Sequence, residues 1–225
     1  CFVGQINVYA GDYSDIADCD VIVVTAGRNM SPGETRLELA HKNVLIAKEI
    51  TQNIMKYYTK GVILVVANPV DILTYMIQKW SGLPGGKVIG TGTALDSARF
   101  RHELAKKFKV DVRNVHGYIV GEHGDTQIPL WSATHIAGMN VVDYGNLHGN
   151  MFTEEDKEAI KENVKKAGAT IIKNKGATYY AIGITVSTIV ETLLKHQNTI
   201  RTVSTVIEGQ YGIEDVAISL PTIIN

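Results

Sequence analysis

The chain has 225 residues, 45% hydrophobic and 20% charged, with a formal charge of −1. This is the balance of a soluble globular protein with a sizeable buried core, and it excludes a disordered chain. The near-zero charge speaks against a nucleic-acid or membrane-surface binder, and no apolar run reaches the ~18 residues of a membrane span.

In chain order, Ile6–Ala10 reads as a first short strand. Asp20-Val21-Ile22-Val23-Val24-Thr25-Ala26 is a continuous β-branched run ending at Gly27, and Gly61-Val62-Ile63-Leu64-Val65-Val66-Ala67 is a second. Runs apolar on both faces predict strands of a parallel sheet covered by helices. Between them, Leu37, Ala40, Val44, Ala47, Ile54 and Tyr58 recur on one face of a long helix, entered through Pro32 and Gly33. Asp71–Trp80 and Leu95–Phe108 read as helices around a strand at 87–90. Strand–helix alternation over the first ~110 residues predicts a doubly wound α/β sheet.

The second half differs in texture. Val110–Val120 reads as a hairpin or short strand pair. Thr153-Glu154-Glu155-Asp156 resembles a capping box opening a helix to about Lys173. Thr178–Gln197 reads as a further helix, and Thr202–Ile207 and Val216–Leu220 as paired antiparallel strands around Gly209-Gln210-Tyr211-Gly212. The expected architecture is a Rossmann-like parallel sheet in residues 1–92, followed by an α+β substrate domain in 93–225. Cys1 and Cys19 form no disulfide framework, and with no secretory signal the expected setting is cytoplasmic. The apolar material at Cys1 and at Pro221–Asn225 predicts that both ends are cut, since domain ends are usually polar.

Several motifs carry little. Gly90-Thr91-Gly92-Thr93-Ala94-Leu95 lacks the third glycine of a dinucleotide loop and reads as a tight turn. His102-Glu103-Leu104-Ala105-Lys106 puts Lys106 where a zinc helix needs histidine, so no metal is expected. Asn29-Met30-Ser31 matches a glycosylation acceptor, but a cytoplasmic chain gives it no occasion.

Others carry more. Gly121-Glu122-His123-Gly124-Asp125 sets a histidine between glycines, as fitting for a turn as for a proton carrier. Arg36 and Arg99, each near a helix start, offer planar forks that match a carboxylate, or are solvated helix residues. Asp96 either caps its helix or orients an imidazole and stabilises its charged form. Asn68, at the end of a strand, either presents an amide to a ligand or closes an Asx-turn.

Five stretches occur in order: Val24–Gly27, Pro32–Leu37, Ala67–Asp71, Gly92–Arg101 and Gly121–Asp125. Together they resemble the L-lactate/malate dehydrogenase family, its bacterial L-lactate members most closely, over essentially the whole chain. The resemblance implies an NAD-dependent oxidoreductase of 2-hydroxy acids. It implies that His123 is the general acid/base, that Asp96 pairs with it, and that Arg99 clamps the substrate carboxylate. Arg36, on a mobile loop, closes over the substrate. Asn68, Met30 and Thr178 shape the substrate site, and Thr25, Ala26, Gly27, Val66, Asn68 and Ile182 line the cofactor cleft. Arg101 and His116 match a fructose 1,6-bisphosphate site between subunits of a homo-oligomer, typically a tetramer.

Two departures matter. The family's glycine-rich phosphate loop and ribose-binding acid belong to a strand–helix–strand unit upstream of Cys1, so the chain is expected to be an internal piece with exposed sheet and helix faces. Such a piece is an active enzyme only if it still folds and holds NAD; otherwise it is an inactive binding or assembly module. Met30 stands where lactate enzymes of the family usually carry Gln and malate enzymes Arg. With no cation for a second carboxylate, Met30 favours pyruvate or a longer 2-oxo acid over oxaloacetate. Malate dehydrogenase and a broad 2-oxo acid reductase are the alternatives.

Overall fold

The computed structural model describes residues 6–28, 33–149 and 151–225. The first part alternates β1 (Val21–Val24), α1 (Arg36–Met55), β2 (Val62–Val65), α2 (Val70–Ser81), β3 (Val88–Gly90) and α3 (Ala94–Phe108). Five short strands follow: β4 (Val115–His116), β5 (Ile119–Val120), β6 (Ile128–Pro129), β7 (His135–Ile136) and β8 (Met139–Asn140). The chain closes with α4 (Val141–Leu147), α5 (Glu154–Lys175), α6 (Tyr180–Leu194), β9 (Thr199–Glu208) and β10 (Glu214–Ile224).

β1, β2 and β3 pair in parallel, and the β9–β10 ribbon extends them antiparallel, in the order β1-β2-β3-β9-β10. The apolar runs behave as double-sided burial requires: Ile63, Leu64, Val65, Val88 and Ile89 are all buried. α1 and α2 cover one face of this sheet, with Ala47, Ile54, Leu73 and Ile77 in its core. Ile189 and Leu193 of α6 meet Leu64, Ile89 and Val203 in a separate core cluster. A third core holds Phe100, Leu104 and Phe108 of α3 against Val115, Ile119, Phe152 and the α5 residues Ile160 and Val164.

Caps set the helix starts. The Thr153–Asp156 capping box opens α5, as its sequence predicts, and a Thr35–Glu38 box opens α1. α1 ends at Met55, so Tyr58 falls beyond it and donates its hydroxyl to the Gly61 carbonyl.

Two expectations fail. Residues 6–10 form no strand, and Val8 and Tyr9 are exposed. Among the described residues β1 pairs with β2 alone, so this segment joins no ladder. Val110–Val120 is not a hairpin either. It splits into β4 and β5, which pair with β7 and β6 instead of each other. Between them Gly117 passes so close to Phe100 that a Cβ there would stand 2.8 Å from the ring.

Gly92, two residues after β3, also has a physical reason to be glycine. Gly92 has φ +49, and a Cβ on it would lie 2.6 Å from the Ser204 amide nitrogen of β9. The missing side chain admits the antiparallel ribbon.

Candidate active site

α3 is the platform. Its N-cap Thr93 donates from Oγ1 to the Ile119 carbonyl at 2.5 Å, while the Thr93 N–H donates to Ser219 Oγ at 3.0 Å. Four residues on, Ser97 Oγ accepts from the Ile119 N–H at 2.9 Å and lies 2.8 Å from Thr202 Oγ1. Thr93, Ser97, Thr202 and Ser219 are all buried, so each hydroxyl needs its partner. This knot locks the first turn of α3 to β5, β9 and β10, and Asp96 projects from that turn.

Asp96 is 2% exposed, and its Oδ2 lies 2.5 Å from His123 Nδ1. A carboxylate only accepts, so Nδ1 carries the proton and Nε2 faces away from Asp96. Asp96 therefore acts as an imidazole partner and does not cap its helix. Its other oxygen, Oδ1, accepts from Arg99 Nη1 at 3.3 Å. His123, 27 residues away in sequence, thus joins Asp96 and its helix neighbour Arg99 in one cluster.

His123 sits in the loop after β5. Gly121, at φ +91, exchanges two 2.9 Å main-chain hydrogen bonds with Ser219 of β10. The His123 N–H donates to Asp71 Oδ2 of α2 at 2.7 Å. The ring keeps an exposed edge, its side chain being 29% accessible. Burial alone would push the imidazolium's pKa down. The Asp96 hydrogen bond and charge, helped by Asp71, outweigh that and hold it above the ordinary histidine value, against repulsion from Arg99.

The strand-end residues line a second region. Thr25, Ala26 and Gly27 lie exposed just past β1, and half-buried Val66 and exposed Asn68 lie just past β2. Buried Asn43 of α1 clasps these two loops. Its Oδ1 accepts from the Arg28 N–H at 2.7 Å, and its Nδ2 donates to the Asn68 carbonyl at 2.7 Å. Asn68 Oδ1 accepts from the Val70 N–H, as in the Asx-turn alternative. A Cβ on Gly27 would stand 3.2 Å from Ala67 Cβ, so glycine keeps the two loops in close contact. These loops lie at the carboxyl ends of two parallel strands, the place where open α/β sheets bind their ligands.

The remaining predicted residues divide. Arg36 is the first residue of α1, just after the Thr35 cap, and Met30 lies outside the described residues. Thr178 is exposed in the loop before α6, and half-buried Ile182 lies in the first turn of α6, which packs on α3 and β1. Arg101 of α3 donates to the Gly117 carbonyl at 3.2 Å, next to exposed His116.

Two residues escaped sequence reasoning. Asn43 is a polar residue on the apolar face of α1 shared by Ala40, Val44 and Ala47, and that misfit was its signal. Asp71 looks like any acid in a first helical turn and carried none.

Comparison with known proteins places both halves of the chain. Residues 2–90 match the NAD binding domain of lactate/malate dehydrogenase, and residues 93–225 match its alpha/beta C-terminal domain. L-lactate dehydrogenase of Thermoanaerobacter sp. (strain X514) is 49% identical over 99% of this chain and 72% of that protein. L-lactate dehydrogenase of Thermoanaerobacterium saccharolyticum is 50% identical over 99% of this chain and 71% of that protein. The structure of L-lactate dehydrogenase from Clostridium thermocellum superposes with a TM-score of 0.86 at 69% identity, covering 100% of this chain and 71% of that one. With both halves matched and the histidine–aspartate–arginine cluster assembled, this chain belongs to the lactate/malate dehydrogenase family.

Proposed function

We propose that the chain is an NAD-dependent L-2-hydroxy acid oxidoreductase that reduces pyruvate to L-lactate. The observation that carries this is the buried Asp96 carboxylate 2.5 Å from His123, with Arg99 on its other oxygen. Relatives named L-lactate dehydrogenase support pyruvate over oxaloacetate.

Bound NADH supplies the hydride that reaches the substrate's C2. The chain's own residues do the rest. Arg99 holds the substrate carboxylate in a bidentate fork. With Nδ1–H committed to Asp96, His123 presents Nε2–H to the substrate carbonyl and gives it that proton as hydride arrives. In the oxidative direction the neutral ring takes the proton back. Asp96 stabilises the imidazolium and so favours the charged form of the acid. Arg36 polarises the carbonyl, Asn68, Met30 and Thr178 shape the pocket, and Thr25, Ala26, Gly27, Val66 and Ile182 contact the cofactor. We divide these roles at residues 92 and 93, because Thr93 caps the helix that carries Asp96 and Arg99.

We further read Arg101 and His116 as a fructose 1,6-bisphosphate site in a cytoplasmic homotetramer. Arg101 is half-buried, burial lowers its pKa, and its described hydrogen bond goes to a neutral carbonyl, leaving charge to offer an anion. The test is NADH consumption over a panel of 2-oxo acids, with and without the bisphosphate. Higher kcat/KM for oxaloacetate than pyruvate defeats the substrate reading, and no activation at any pH defeats the regulatory one.

A further inference from the structure

Asp71 contradicts the rule that buried carboxylates are fully paired. It lies in the first turn of α2 at 8% exposure, and Oδ2 accepts from the His123 N–H at 2.7 Å. Among the described residues, its Oδ1 is buried without a hydrogen bond, and so is Ser204 Oγ, although Ser204 lies beside the carboxyl group. A fold selected for stability alone would gain from a neutral side chain here.

We propose that Asp71 is a positioning residue for the proton transfer, fixing the main chain of His123 and setting a second anion behind its imidazolium. The inference rests on the assignment of His123 as the acid. Asp96 holds the ring, and Asp71 holds the backbone from which the ring is hung. A ring fixed only at Nδ1 can still pivot with its loop. Fixing the N–H as well leaves Nε2 one direction in which to point.

The surroundings explain why an acid is needed where an amide would hydrogen-bond as well. The groups facing Asp71 are His123 and Glu122 from the loop and Ser204 from β9, and around His123 stand Asp96 and Arg99 of α3. Arg99 repels the imidazolium and Asp71 offsets that repulsion. Burial pushes the Asp71 carboxyl above the usual carboxylate range, against the opposing pull of the His123 N–H. A raised native pKa means that the ionised residue at neutral pH costs folding stability. The charge is kept for His123, not for the fold.

Two substitutions separate hydrogen bond from charge. Asp71→Asn keeps an acceptor for the His123 N–H, removes the anion and turns an amide donor toward Ser204 Oγ. Asp71→Ala removes both. With the full chain and its cofactor, Asp71→Asn should keep the acid-side plateau of kcat for pyruvate. Its alkaline limb of kcat/KM should move to lower pH, and its melting temperature at pH 7 should not fall. Asp71→Ala should show the same limb shift with a plateau lower by about tenfold to hundredfold, the loss of one hydrogen bond to a charged group. NMR titration of His123 in Asp71→Asn should show the same displacement without turnover, so a failure of the pyruvate assignment stays distinct from a failure here. An unmoved His123 titration overturns the charge role, and equal plateaus for Asn and Ala overturn the positioning role. A melting temperature for Asp71→Asn well below wild type makes Asp71 a structural ion and overturns the proposal.

Discussion

Replacing Asp96 by Asn tests the centre of the mechanism. The substitution keeps the size of a side chain that is 2% exposed, and removes the charge 2.5 Å from His123 Nδ1. Breaking a fully buried ion pair costs about 3–5 kcal/mol, or about a hundredfold to several thousandfold in rate. His123 keeps 29% side-chain exposure, so solvent screens part of the interaction, and the lower end, about a hundredfold, is expected. The pH profile follows from the sign. Asp96 is the main group holding the imidazolium pKa up, and without it burial pushes the pKa down. Pyruvate reduction needs the protonated ring, so the alkaline limb of kcat/KM moves to lower pH. The assay is NADH consumption with pyruvate across pH, with melting curves to show the fold intact. A loss smaller than about tenfold, with the alkaline limb unmoved, refutes the pairing as the source of the acid.

Other substitutions probe separate parts. Arg99→Lys keeps the charge and loses the fork, so kcat/KM for pyruvate should fall by about tenfold to hundredfold, seen in steady-state kinetics chiefly as a higher KM. Gly92→Ala forces a Cβ to within 2.6 Å of the Ser204 amide nitrogen at φ +49. It should cost about 1–3 kcal/mol and lower the melting temperature by roughly 2–10 °C. An unchanged melting temperature would show that the ribbon can move away. Met30→Arg supplies a cation for a second carboxylate, and should raise the oxaloacetate-to-pyruvate ratio of kcat/KM by about tenfold or more in competition assays.

The parallel strands were legible because double-sided burial demands unbroken apolar runs, as in Ile63–Val65. His123, Asp96 and Arg99 were each ambiguous alone and were singled out together by the family resemblance, and the structure brings the three into one cluster. The addition of β9 to β3 was not legible, since it rests on one residue pair, Gly90 with Ser204, and leaves no periodic mark. Residues 6–10 have strand-like composition without a strand, since pairing depends on a neighbour and not on the segment itself. Asp71 and Asn43 act across loops that sequence alone does not bring together.

The clasp between Gly121 and Ser219 bears on how the site comes into being. Ser219 also receives the Thr93 N–H, 126 residues away in sequence. During synthesis, α3 and the histidine loop leave the ribosome long before the strand that pins both. Until β10 docks, the Asp96–His123 pair rests on the contacts of Thr93 and Ser97 with Ile119 alone, without the Ser219 clasp, and closing so long a loop is slow. Full activity should therefore appear late in refolding, after the helices have formed, and a chain stopped short of residue 219 should carry His123, Asp96 and Arg99 without the clasp that steadies them.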